Sequence, residues 1–181
     1  MQGGWSGTLD RLDAHLNAVN AVPDCLSGFK PVEHELTLTR LIDAPRELVF
    51  KAWIDEEQMA KWWGPSGFTN PVCELDPRPG GRIYIDMTGP DGTVYPMGGT
   101  FHEVTPPERL VFTSTAMKDE DGQPQLEVHN TITFENQGGK TMLKLHAVVV
   151  KSSAAVAKAL AGMEQGWTES LVRLAALVVR K

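Results

Sequence analysis

Apolar residues near the end of the chain recur at spacings of three and four: Val156, Leu160, Met163, Trp167, Leu171, Leu174 and Val178. At about 100° per residue they fall on one stripe, which predicts an amphipathic helix from Ser153 to Lys181. Ser152 or Ser153 suits its N-cap, and Arg180 and Lys181 suit the negative end of its dipole. Beside the stripe runs a row of small residues, Ala155, Ala159, Gly162, Gly166 and Ser170. Each interior glycine costs roughly 1 kcal/mol against alanine. Either a sheet approaches the backbone closely there, or the helix leaves room for a ligand. Close packing is the simpler expectation.

Upstream the period changes from helical to alternating. Residues 35–42 (ELTLTRLI) alternate and predict a strand. Asp43-Ala-Pro45 opens a short helix with Pro45 in its first turn, burying Leu48, Val49, Ala52 and Trp53. Asp55 opens a second, with Met59, Trp62 and Trp63 apolar, ended by Gly64-Pro65. Strand-like runs then cover 72–75, 82–88, 93–104, 110–117, 126–135 and 141–150. Turn signals separate them, among them Gly89-Pro-Asp91-Gly92 and Asn136-Gln-Gly138-Gly139. Pro96 and Gly98-Gly99 suggest a bulge or an edge in the third of these runs. The order is one strand, two short helices, six strands and a long helix. Short turns make the six strands an antiparallel meander, giving an α+β fold whose apolar sheet face is covered by the last helix.

Residues 1–20 read as an amphipathic helix resembling that last helix. With Met1 set on Met163, Gly4-Trp5 falls on Gly166-Trp167, Leu9 on Leu171, Arg11 on Arg173 and Leu12 on Leu174. Periodicity accounts for the leucines but not for the Gly-Trp pair or the arginine. The expectation is the last helix of a preceding domain copy, a linker over 21–34, and a domain over 35–181. The orphan stripe would pack on the domain's outer surface, as in a tandem protein, or on another chain in a homodimer.

Composition limits the function classes. The net charge of −6 argues against broad binding of nucleic acid. No run of roughly eighteen apolar residues is present, so no membrane span is expected. Cys25 and Cys73 lack metal-site spacing with histidines, and two free thiols suit a cytoplasmic protein.

Four motifs, KWWGPSGF (Lys61 to Phe68), PGGRIYIDM (Pro79 to Met87), PPERLVFT (Pro106 to Thr113) and GMEQGWTESL (Gly162 to Leu171), carry a family resemblance. Over about residues 35–178 the chain resembles the AHSA1-like branch of the START/Bet v 1-like superfamily, named for similarity to the activator of Hsp90 ATPase. The resemblance implies a helix-grip fold: a curved antiparallel sheet wrapped around a long C-terminal helix, with two short helices after strand 1. It also implies a cavity between helix and sheet that accepts apolar or aromatic small molecules. Fold alone does not choose a reaction.

Aromatic and thioether side chains are the best candidates for lining such a cavity: Trp62, Trp63, Met87, Met97, Phe101, Phe112, Met117, Met163 and Trp167. Ile83, Ile85 and Met87 should face inward and Tyr84 outward. His102, His129 and His146 lie on separate strands and are expected on the solvent side. No HxH or HExxH spacing, nucleophile elbow or phosphate loop occurs, so neither metal nor cofactor is expected. Glu103 and Arg109 suit a structural pair across a turn. The leading reading is a non-enzymatic carrier or sensor of a small hydrophobic molecule. The alternatives are an enzyme acting on an aromatic substrate, with Glu103, His129 and His146 as its acid–base groups, or a chaperone-associated interaction domain.

Overall fold

Alternation and turn chemistry over residues 35–152 build one sheet. In the computed structural model, which describes residues 34–179, β1 (Glu35–Ile42) is followed by helices α1 (Arg46–Ile54) and α2 (Glu56–Trp62). Six strands come next: β2 (Thr69–Leu75), β3 (Arg82–Thr88), β4 (Val94–Thr105), β5 (Arg109–Lys118), β6 (Pro124–Gln137) and β7 (Lys140–Ser152). A 3-10 turn (Ala154–Val156), α3 (Ala157–Ala161) and α4 (Met163–Val179) complete the described chain. The expected helix at 1–20 and nearly all of the linker lie outside the described residues.

The seven strands are ordered β1-β7-β6-β5-β4-β3-β2, and every neighbouring pair is antiparallel. The meander is therefore as the turn signals predict, and β1 closes against β7. Alternation sets the faces: Ile83 and Ile85 on β3, Ile132 and Phe134 on β6, and Leu143, Leu145 and Ala147 on β7 are buried. Tyr84 lies on the other side, half-exposed. Bulges interrupt the register at Thr69–Val72, Phe101–Glu103 and Glu127–Val128, where they add local twist to the curved sheet.

Two local expectations need correction. The bulge in β4 falls at Phe101–Glu103, not at Gly98-Gly99, and β4 lies inside the sheet between β3 and β5. Gly99 answers to a close approach instead, since a β-carbon there would overlap the carbonyl oxygen of Thr113. Pro96 sits one residue beyond the first β4–β5 pair, Met97 with Ala116. The C-terminal helix is also not continuous from Ser153. Its first residues form the 3-10 turn, and Gly162 separates α3 from α4 with ψ near −2°. Ser153 precedes the turn without capping it, because its hydroxyl donates to Gln125 Oε1 at 2.8 Å.

The short helices form as read, with one shift: Pro45 is the N-cap residue of α1 rather than its first-turn residue. Asp55 caps α2 by accepting the Gln58 N–H at 3.1 Å. Between helices and sheet, Trp53 is fully buried at the centre of an aromatic group. Its ring lies 4.7 Å from that of Trp62, 6.4 Å from Trp63, 6.2 Å from Phe134 and 6.1 Å from Trp167. The main core joins these rings to Leu171, Leu174 and Val178 of α4. A smaller cluster, Val128, Ala147 and Val149, packs with Leu160 and Met163.

Because Trp53 touches both short helices, the sheet and α4, Trp53→Ala should cost about 3–5 kcal/mol, read as a lower urea midpoint with an unchanged m-value.

Candidate functional site

The apolar stripe of the C-terminal segment is not evenly buried. Val156, Leu171, Leu174 and Val178 are buried, whereas Leu160, Met163 and Trp167 are only half-buried. Beneath this middle part lies a cavity of about 170 Å³, open to solvent on one side. Met163, Gly166, Trp167 and Ser170 of α4 form its roof, and Trp63, Gly64 and Pro65 of the loop after α2 form one wall. Met87, Met97, Ser114, Thr115, Ala116, Leu126 and Val128 complete it from β3 to β6. It thus sits at the seam between the two apolar clusters.

Of the nine aromatic and thioether candidates, the fold brings five together here: Trp63, Met87, Met97, Met163 and Trp167. Trp62, Phe101 and Phe112 are packed in the core instead, each no more than 2% exposed. Met117 faces away. It lies outside the alternation that turns Phe112, Ser114 and Ala116 inward, adopts φ 54° before the hairpin, and is 40% exposed. A search for large side chains overlooks Ser114, Ala116, Leu126, Val128 and Ser170; strand and helix phase were the signal for them.

The row of small residues does not mark close packing on the sheet. A β-carbon on Gly166 would meet only Pro65 Cγ, at an ordinary 3.7 Å. One on Gly162 would meet only carbonyls of its own helical turn. Gly166 therefore leaves open volume at the cavity wall, which is the other of the two expectations.

The loop wall is fixed from α4. The Arg173 guanidinium donates through Nη1 to the carbonyl oxygens of Trp63 (3.3 Å), Gly64 (3.0 Å) and Pro65 (3.0 Å). Through Nη2 it donates to those of Lys61 (2.9 Å) and Phe68 (3.2 Å). Burial pulls its pKa down from the usual range. One turn earlier, Glu169 accepts the Ser66 N–H at 2.8 Å; that bond, then Gln165, holds its carboxyl below the ordinary carboxylate range. Asn70 donates to the carbonyls of Ala60 and Trp63 from the far side. Gly64, at φ +88°, supplies the left-handed residue that ends α2 and turns the chain.

The polar groups at the cavity are few. Ser170 donates to Gly166 O at 2.7 Å and so is spent within its helix. Ser114 Oγ accepts from Nδ2 of Asn130 at 3.0 Å. Asn130 is completely buried, also donates to Val128 O at 3.1 Å, and has no partner for its Oδ1 among the described residues.

The acid–base candidates lie elsewhere. Glu103 pairs with Arg109 at 3.1 Å, as expected from the turn. His146 meets Glu35 at 2.6 Å, and His102 contacts Thr113 Oγ1 at 2.6 Å and stacks on His129 with centroids 5.7 Å apart. These histidines occupy the sheet face opposite Phe112, Asn130 and Ala147. No group of three or more metal-ligating side chains occurs among the described residues.

The profile for "Activator of Hsp90 ATPase homolog 1-like protein" matches residues 43–179. The chain belongs to this family. Solved structures of similar proteins share the fold. One from Chromobacterium violaceum is 30% identical, covering 80% of this chain and 96% of that one, with a TM-score of 0.68. One from Mycobacterium smegmatis is 30% identical over 80% and 90%, with a TM-score of 0.64. The AHSA1 protein of Silicibacter pomeroyi is 28% identical over 79% and 96%, with a TM-score of 0.65. No curated protein matches. No helix among the described residues is long and apolar enough to cross a membrane. The family thus accounts for the helix-grip architecture, and this chain's own residues define the cavity.

Arg173→Ala removes all five carbonyl contacts, three of which share the two Nη1 hydrogens. The expected loss is about 2–4 kcal/mol, with faster amide exchange across residues 61–68 and partial recovery in Arg173→Lys. On the other sheet face, burial first, then His102 and His146, lowers the pKa of His129. A folded pKa below the unfolded value makes the neutral ring stabilising above roughly pH 6.5, and that stability drains as pH falls below it. Urea midpoints should therefore drop between pH 7 and pH 5, and less so in His129→Gln; the partly exposed site limits the difference to roughly 1 kcal/mol.

Proposed function

We propose that the protein binds a small, mostly apolar molecule in the cavity beneath α4, as a carrier or sensor rather than as an enzyme. The observation that carries this reading is the gap under the middle of an otherwise buried helical stripe, walled by Trp63, Trp167 and three methionines. Thioethers adapt to varied ligand shapes, and indoles offer broad contact area. No carboxylate, imidazole, amine or thiol lines the cavity among the described residues, which favours binding over turnover.

Volume narrows the ligand class. An enclosed space of about 150 Å³ accommodates a benzene molecule, whereas drug-sized ligands occupy pockets of about 300–1,000 Å³. At about 170 Å³, the cavity encloses a single ring of benzene to indole size, and a steroid, a flavonoid or a lipid chain would leave most of its surface outside the open side. The Hsp90-associated alternative draws on the family's name and on no feature of this cavity.

The test is a thermal-shift and tryptophan-fluorescence titration with toluene, phenol and indole, using a steroid as control. The small rings should raise the melting temperature and perturb Trp63 and Trp167 emission, with dissociation constants of about 0.1 mM, a value set by ligand size. Gly166→Leu, whose side chain would enter the cavity, should abolish the ligand-induced shift while the unliganded protein stays folded. Absence of any shift with all three rings, or an undiminished shift in Gly166→Leu, refutes the reading.

A further inference from the structure

We infer that Ser114 is a hydrogen-bond donor to the bound molecule, and that the preferred ligand is a single-ring aromatic carrying an acceptor such as a carbonyl oxygen. The inference rests on the cavity being a ligand site and adds the polarity of that site.

Asn130 sets the direction of the bond. Its Nδ2 lies 3.1 Å from Val128 O and 3.5 Å from Phe112 O, and carbonyl oxygens only accept, so the amide nitrogen must point this way. The same nitrogen reaches Ser114 Oγ at 3.0 Å. Ser114 Oγ is therefore an acceptor inside the protein, and its own proton remains to be donated.

Among the described residues, none takes that proton. Across the sheet, Ser114 pairs with Gly99, which has no side chain, and with Val128, which has no acceptor on its side chain. The hydroxyl is half-exposed and lines the cavity. The other cavity-facing hydroxyl, that of Ser170, is already committed to Gly166 O. Thr115 also borders the cavity, but its Oγ1 would lie 3.1 Å from a β-carbon on Gly98, which places its hydroxyl on the far face.

The arrangement also gives Asn130 a purpose. A fully buried amide whose oxygen finds no partner works against stability. Fixing the polarity of a hydroxyl in an apolar cavity is what a leucine at the same place would not do. Asn130 is on this argument a positioning residue, and Ser114 is the group that touches the ligand.

Acetophenone and α-methylstyrene have nearly the same shape and differ by an oxygen in place of a methylene, so their affinities isolate the bond. Wild type should bind the ketone about tenfold more tightly, the upper end of what one net hydrogen bond contributes. That ratio should fall to about one in Ser114→Ala, a substitution the strand tolerates beside Ala116. The infrared carbonyl stretch of bound acetophenone should sit at lower frequency in wild type than in Ser114→Ala, with Asn130→Leu in between. If both compounds bind wild type equally, or if the ketone preference and the infrared shift survive in Ser114→Ala, the assignment of Ser114 is overturned and the cavity still binds rings. If neither compound binds, the ligand site itself is overturned, and this inference with it.

Discussion

One arginine holds the architecture of the site together. Arg173 reaches from α4 into a ring of peptide oxygens, from Lys61 to Phe68, and fastens the loop that walls the cavity. A guanidinium suits this task because its planar donors diverge and one group can serve several carbonyls. None of those acceptors titrates. A carboxylate partner would be lost in acid, but peptide oxygens keep their acceptor strength across the pH range. Glu169, by contrast, adds a second tie to Ser66 that depends on its charge. The loop is therefore secured twice by the same face of one helix, by two side chains four residues apart.

That attachment explains how a cavity persists beside a dense aromatic core. The far half of α4 settles Leu171, Leu174 and Val178 into the main core, while Leu160 and Met163 rest on the separate cluster around Val128 and Val149. With the helical segment supported at both ends and the loop pinned to its side, the middle need not collapse onto β5. The break at Gly162 falls at the smaller support, with Leu160 of α3 and Met163 of α4 on either side of it both resting on that cluster.

The architecture was largely legible in the amino-acid pattern. Alternation located every strand within a few residues, and the Asp55 cap and Gly64 marked the ends of α2, because these depend on local chemistry. The site was legible only in part. Trp63, Met87, Met97, Met163 and Trp167 are conspicuous by size, but so are Trp62, Phe101 and Phe112, which have the same chemistry and lie in the core. Strand phase does not separate the two sets, since Phe101 and Phe112 face inward with Met97 and Ser114; what does is position along the sheet relative to the helix, a long-range property. Met117 has that side-chain type too, but with φ 54° near the end of β5 it lies 40% exposed. The residues that matter for polarity, Ser114 and Asn130, are unremarkable in sequence; only their proximity across β5 and β6 gives them a role. The carbonyls around Arg173 carry no sequence signal at all, since every residue type presents one.

Gly166 has a consequence for how such proteins diversify. Its missing side chain faces the Pro65 ring at an ordinary contact distance rather than any strand, so a larger residue there would extend along the chamber wall instead of displacing the sheet backbone. The size limit of the chamber is thus set at a position that folding does not constrain. One codon change could shrink the chamber and leave the scaffold standing, which lets selection retune ligand size separately from stability.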